Sequence, residues 1–428
     1  MTAGRTHIVG AGIAGLSAAL AVAEEGGEAV LYEAAPQPGG RCRTIHSADG
    51  FSHDNGTHVL FTANRHALNL LRTVGARDRW IEPERRGLPL YDMRSGTMQR
   101  IGLSPWSWLR PSRRPQGIRM ADLARLVRLA LSVRDCPVAS IVGDRPIMDN
   151  LVGPLTLAIL NTPPEVASAR RLALALRRLL WPQASRLLVA RNGLSEDLIL
   201  PTVEALQASG IPILAGQRLK NLVIHGERVI GLSLTDRAVA LGPRDNVIVA
   251  LPPYEVERLL PALAVPQRFE AILNVHFRLP GPERPRFIGF TGALTQWLLV
   301  RRDHVSVTVS AAETVVQEPA ADLASAIWRE IVPVLRDLGL DACAERQPEA
   351  RIVKEKRATI RQDAASLPQP PLRPLANLAL AGDWLGALPA TIESAIISGE
   401  EAVAALQHAP AAGIRASRHH PPRREDAA

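Results

Sequence analysis

The chain has 428 residues, 46% of them hydrophobic, and carries a formal net charge of +8 with a pI near 10.2. That is enough apolar material for a large core and roughly two domains, but no apolar run approaches the ~18 residues of a membrane-spanning helix. With only 4% aromatic residues and no helix-turn-helix, zinc finger or aromatic-basic interleaving, the positive charge does not describe a reader of nucleic acid.

Residues 6–10, THIVG, predict a strand that runs into GAGIAG and a helix over 15–25. A second strand over 28–32 ends at Glu33. In this βαβ unit Gly10 permits the tight turn, Gly12 lets the backbone approach a pyrophosphate, and Gly15 allows close helix–strand packing. Ala14 completes the loop. Glu33 is placed to accept hydrogen bonds from an adenosine ribose. Strand, spacing and terminal acid together predict dinucleotide binding.

APQPGGRCR, residues 35–43, is not what a nicotinamide dehydrogenase needs after the ribose acid. Gly39 and Gly40 offer bare backbone, and Arg41 a guanidinium, to a second set of phosphates. FSHDNGTHVL, residues 51–60, then brings an acid and a histidine toward the same crevice. Asp54 reads as a turn cap and His58 as the candidate catalytic side chain, while His46 and His53 are assigned to the surface. Cys42 reads as a small buried filler. The three cysteines, Cys42, Cys136 and Cys343, have no metal-ligand spacing and are too few for a disulfide framework. No charged leader precedes a signal-like stretch, so a cytoplasmic protein without a structural metal is expected.

From residue 94 to 134 there are nine arginines against one acid, Asp122. SPWSWLRPSRRP pairs Trp106 and Trp108 with Arg110, Arg113 and Arg114. The pattern over 104–134 is that of a monotopic membrane contact, with an amphipathic helix over 120–133 packed on its own core as the competing reading. The helical, Arg-rich segment 86–184 and alternating strands in 269–311 predict a second domain. Residues 191–224 predict a helix and the strand that closes the nucleotide domain, and 245–253 another buried strand with a proline stop.

Near the C-terminus a strand over 378–381 leads into Gly382-Asp383 and a small-residue helix over 391–403, opened by Pro389 and Thr391. That arrangement points backbone N–H groups at an anion. Glu393 reads as a cap of this helix. The tail, 408–428, is rich in Pro, Arg and His and reads as disordered; His419 and His420 lack partner ligands.

Gly10-Gly12-Gly15, Glu33, Gly39-Gly40-Arg41, Asp54-Asn55-Gly56 and Gly382-Asp383 together resemble the FAD-dependent amine oxidase and phytoene desaturase superfamily. The resemblance implies an α/β fold. A discontinuous Rossmann-like FAD-binding domain (1–85, 185–255 and 370–407) would accompany a mixed α+β substrate domain (86–184 and 256–369). It implies that the N-terminal unit holds ADP, that Leu219 meets the adenine, and that Gly382, Asp383, Leu388 and Thr391 hold the ribityl and pyrophosphate end.

Within the superfamily, YEAAPQPGGRCRT, DNGTHVL, KEKRATI (354–360) and LAGDWLGALPATIESAIISG are similar to the squalene-associated FAD-dependent desaturases, the hydroxysqualene dehydroxylases of hopanoid pathways. The similarity spans about residues 5–407, with Thr57 where the pattern has Gln. It implies reductive removal of the allylic hydroxyl of hydroxysqualene, non-covalent FAD and a hydrophobic isoprenoid substrate. No second glycine fingerprint follows a strand, so an external electron donor is expected. With an isoprenoid substrate, the 104–134 pattern sets peripheral contact with the inner face of the membrane level with the packed-helix reading. A carotenoid-type desaturase, an amine oxidase and a non-catalytic FAD-binding scaffold of an isoprenoid complex are the alternatives.

Overall fold

The computed structural model describes residues 4–340, 346–365 and 367–408. Cys343 and the tail beyond residue 408 lie outside them. Continuous apolar runs form a five-stranded parallel sheet. Its order is Ile213–Leu214, β2 (Glu28–Tyr32), β1 (Arg5–Val9), Asn246–Val249 and Leu378–Leu380. Such runs suit strands buried on both faces. One face is covered by helix α1 (Ile13–Glu24) and by the terminal helix, Ile392–His408. Both helices follow parallel strands of one sheet, so both open at its same edge.

Small residues let these layers close. A Cβ on Gly15 would lie 1.9 Å from the Gly10 carbonyl oxygen, and one on Gly399 would lie 2.3 Å from that of Ala14. The first contact fixes α1 on its strand; the second fixes the terminal helix on α1.

A second, seven-stranded sheet has the order Ala350–Ile360, Phe269–Arg278, His304–Ser310, Trp297–Val300, Arg286–Thr291, Leu88–Asp92 and Thr97–Ile101. Its outer side is packed by the helix Ala320–Asp337, where Ile327, Trp328 and Ile331 meet Phe277 and its neighbours. The reading of 86–184 as helical is corrected at its start. Leu88–Asp92 and Thr97–Ile101 form a hairpin whose first strand pairs in parallel with Gly289–Thr291. The turn is set by Asp92, whose carboxylate accepts from Arg94 N and Ser95 Oγ. The helices proper begin beyond residue 104 and enclose a separate core of Trp108, Leu129, Ile147 and Leu172. The helix expected over 120–133 ends at Ala130.

Strand Ala350–Ile360 carries KEKRATI and is not regular. Glu355 pairs with Ile272 and Thr359 with Glu270. Lys356, Arg357 and Ala358 are therefore all accommodated opposite Ala271, a bulge that re-aims the side chains around it. No helix among the described residues is long and apolar enough to cross a membrane.

Candidate active site

The first anion cradle is built where β1 hands over to α1. Gly10 has φ of +99°, and a Cβ on it would meet the Ala250 carbonyl oxygen at 2.4 Å. Gly12 forms the N-cap of α1, which has neither a side-chain cap nor an acid in its first turn. Its first N–H groups are left for an outside anion. A Cβ on Gly12 would meet nothing within 4 Å, so open space lies where a pyrophosphate would approach. The Gly39-Gly40 turn abuts this loop: Gly39 N donates to the Ala11 carbonyl at 2.8 Å, and Gly12 and Gly39 form a parallel bridge. Glu33 sits between, accepting from Ala11 N and Ala35 N at 2.8 Å each. A carboxylate has about four acceptor sites, so two remain for ribose hydroxyls.

The second cradle meets the first through Arg41. Its Nη2 lies 2.7 Å from Asp383 Oδ1, and its Nη1 donates to the carbonyl of Ala358, inside the bulge. The Asp383 carboxylate raises the Arg41 pKa further. Next to this pair opens a cavity of about 270 Å³, walled by Leu103, Leu155, Leu157, Ile159, Leu187 and Phe287. Arg41, His58, Glu355 and Asp383 are its charged or titratable lining groups apart from Cys42. His58 is half-buried, and burial, then the nearby Arg41 charge, lower its pKa. It is held neutral at physiological pH. Burial pushes the Cys42 thiol up to about 12, so it is no nucleophile.

Thr391 stands directly before the terminal helix, its Oγ1 3.4 Å from Ser394 N. The loop before it is pinned by Arg171, which donates to the carbonyls of Leu388 at 2.7 Å and Gly386 at 3.0 Å. Leu219 packs with Val9, Val30 and Tyr32, and its carbonyl accepts from Arg258.

Three assignments change. Asp54 is no simple turn cap: it is buried, 2.7 Å from Arg301, and accepts from Thr44 Oγ1 and Leu194 N. His53 is buried, not superficial, because its ring stacks on His276 at 4.2 Å between two strands. Glu393 caps a different helix: its carboxylate accepts from His66 N and Ala67 N, at the start of Arg65–Thr73. Arg171, Arg301 and Glu355 were not singled out from the sequence. Glu355 lies inside KEKRATI, whereas the two arginines act on partners over 200 residues away and carry no local signal.

Open space over Gly12, an uncapped helix start, spare acceptor sites on Glu33 and a cavity joined to both cradles fit FAD. Residues 13–281 match the family of flavin-containing amine oxidoreductases. The chain is 37% identical over 417 residues to a hydroxysqualene dehydroxylase of Rhodopseudomonas palustris, covering 92% of this chain and 96% of that one. It is 34% identical over 419 residues to a hydroxysqualene dehydroxylase of Zymomonas mobilis, covering 94% and 99%. A triple mutant of putrescine oxidase shares the fold with a TM-score of 0.69 at 16% identity, over 94% of this chain and 98% of that one. The chain belongs to the flavin-containing amine oxidoreductase family, on its hydroxysqualene dehydroxylase branch, and FAD is its cofactor.

Proposed function

We propose that this chain removes the hydroxyl group of hydroxysqualene and leaves squalene. The carbon–oxygen bond breaks, the hydroxyl departs as water with a proton from a cavity acid, and a hydride fills the carbon it leaves. Bound in its reduced form, the flavin supplies that hydride, and an external donor restores its two electrons.

The supporting observation is the cavity's division of labour: aliphatic walls, with its charged groups gathered around Arg41. The walls orient an isoprenoid chain and exclude water from a short-lived allylic cation. Its aromatic lining, Phe61, Phe287 and Trp297, bears no hydroxyl, and all three tyrosines lie elsewhere. That favours a hydrocarbon over an amine, for which an aromatic cage is the usual device.

Glu355 is the proton donor in this reading. Asp383 is committed to Arg41, and His58, held neutral, keeps only a weakly acidic ring N–H. Glu355 lines the cavity from the edge of the bulge and forms no ion pair among the described residues. Removing a general acid costs about 10²-fold in turnover or more. Glu355→Gln should therefore form squalene about a hundredfold more slowly from hydroxysqualene and reduced enzyme, with FAD content unchanged. Squalene formation at the wild-type rate would remove Glu355 from the chemistry. No squalene from either protein, with phytoene or an amine consumed instead, would overturn the reaction.

A further inference from the structure

Among the described residues, twelve large apolar side chains are exposed, and eight of them fall within 106–133 and 180–181. Trp106 and Trp181 are 55% and 62% exposed, and their rings stack at 6.0 Å. Ser104 Oγ donates to the Leu180 carbonyl at 3.2 Å, joining the two segments beneath them. Trp108 takes no part: it is 5% exposed, and its Nε1 donates to the Gly102 carbonyl within the core below.

The helix Met120–Ala130 packs Leu123, Leu126 and Leu129 on the core, as a surface helix does, but is apolar on its outer side as well. Met120, Val127 and Leu131, its C-terminal cap, are spaced i, i+7, i+11 and so share one side, and all three are exposed. Leu129 and Asp122, on the other side, are buried. An apolar stripe turned outward marks a contact surface.

The charge around it selects the occupant. Arg110, Arg119, Arg128 and Arg134 are exposed and form no ion pair among the described residues, while Asp122 is bound by Arg125. A second copy of the same face would bring these charges together and be repelled. Aromatic rings and aliphatic side chains among unpaired arginines fit the headgroup boundary of an anionic bilayer.

We infer that the outer face formed by residues 106–134 and 180–181 docks this protein on an anionic lipid surface. The same helical core includes Leu155 and Ile159, which line the cavity, so the docked layer is also a wall of the substrate site. Delivery of substrate from the bilayer rests on the isoprenoid reading; docking itself does not.

The test uses FAD-loaded protein and substrate-free vesicles, in sedimentation. Phosphatidylcholine vesicles containing phosphatidylglycerol should bind at least about tenfold more tightly than phosphatidylcholine alone, since each arginine contributes about fivefold. High salt should weaken this without abolishing it. Trp106→Ala with Trp181→Ala should lower the salt-resistant remainder about tenfold and leave the melting temperature unchanged. The control pair Val223→Ala and Ile230→Ala, also exposed, should bind as wild type. Equal binding to both vesicle types, or binding indifferent to the tryptophan pair, overturns the inference. So does a dimer that the tryptophan pair dissociates without any vesicle binding. Squalene formation in detergent is read separately, so failure to dock and failure of the reaction are distinguishable.

Discussion

Arg41 and Asp383 stand 342 residues apart in the chain and 2.7 Å apart in the fold. One ion pair thus fastens the Gly-Gly-Arg turn to the Gly-Asp turn, and the same guanidinium reaches the Ala358 carbonyl in the bulged strand. Three distant segments meet on one side chain at the edge of the cavity.

Asp383→Ala should weaken FAD binding and lower the melting temperature together. A fully buried pair broken on one side costs about 3–5 kcal/mol, but the Arg41 side chain is 41% exposed, so ~1–2 kcal/mol of stability is expected. Arg41→Lys keeps the charge but cannot reach two acceptors with a planar fork, and should recover only part of the loss. Thermal melts with and without FAD measure both effects.

Glu33 bridges Ala11 N and Ala35 N, so its loss disturbs the loop and removes the acceptor proposed for the ribose. Glu33→Ala should cost ~1–3 kcal/mol of FAD affinity, read from the recovery of flavin fluorescence on dissociation. Unchanged affinity in a folded variant would place the acid away from the ribose.

The fold was most legible where one physical rule acts over few residues. The Gly10–Gly15 loop, the apolar strands within 269–311 and the small-residue terminal helix are of this kind. The hairpin Leu88–Asp92/Thr97–Ile101 was lost inside an Arg-rich stretch because its pairing partner is almost 200 residues away. The same distance hid the Asp54–Arg301 pair and the grip of Arg171 on Leu388. Trp106 and Trp108 look alike in sequence, and only the packing of the core beneath them separates the exposed ring from the buried one.

Glu393→Ala should destabilise the protein by ~1–2 kcal/mol, because the N-terminus of Arg65–Thr73 loses its acceptors and Arg178, 3.6 Å away, loses its partner. The expected signature is a lower melting temperature with FAD stoichiometry intact. A cap of the terminal helix itself would instead reduce FAD affinity.

Glu270 sets a pH dependence. Burial, then its hydrogen bond to Glu313, raises its pKa to about 8, despite Arg361 at 3.3 Å. The folded state therefore holds a proton that the unfolded chain, with the ordinary value of 4.5, releases. Stability from this group is full below pH 4.5 and is lost as pH rises through about 8. His53, His58 and His276, all lowered from 6.5 by burial, act oppositely: they cost stability as pH falls below 6.5. Melting temperature should pass through a maximum between these limits. Glu270→Gln should flatten the alkaline side and steepen the acid side between pH 4.5 and 6.5, where Glu270 and the histidines oppose each other.

The most direct measurement is a single turnover without oxygen. Holoenzyme is photoreduced, hydroxysqualene is added, and the visible absorbance of oxidised flavin is followed while squalene is quantified. Oxidised flavin and squalene should form in equal amounts, with no reoxidation on addition of squalene itself. Flavin that stays reduced with hydroxysqualene, in an enzyme whose oxidised form is reduced by phytoene or an amine, would contradict reductive dehydroxylation.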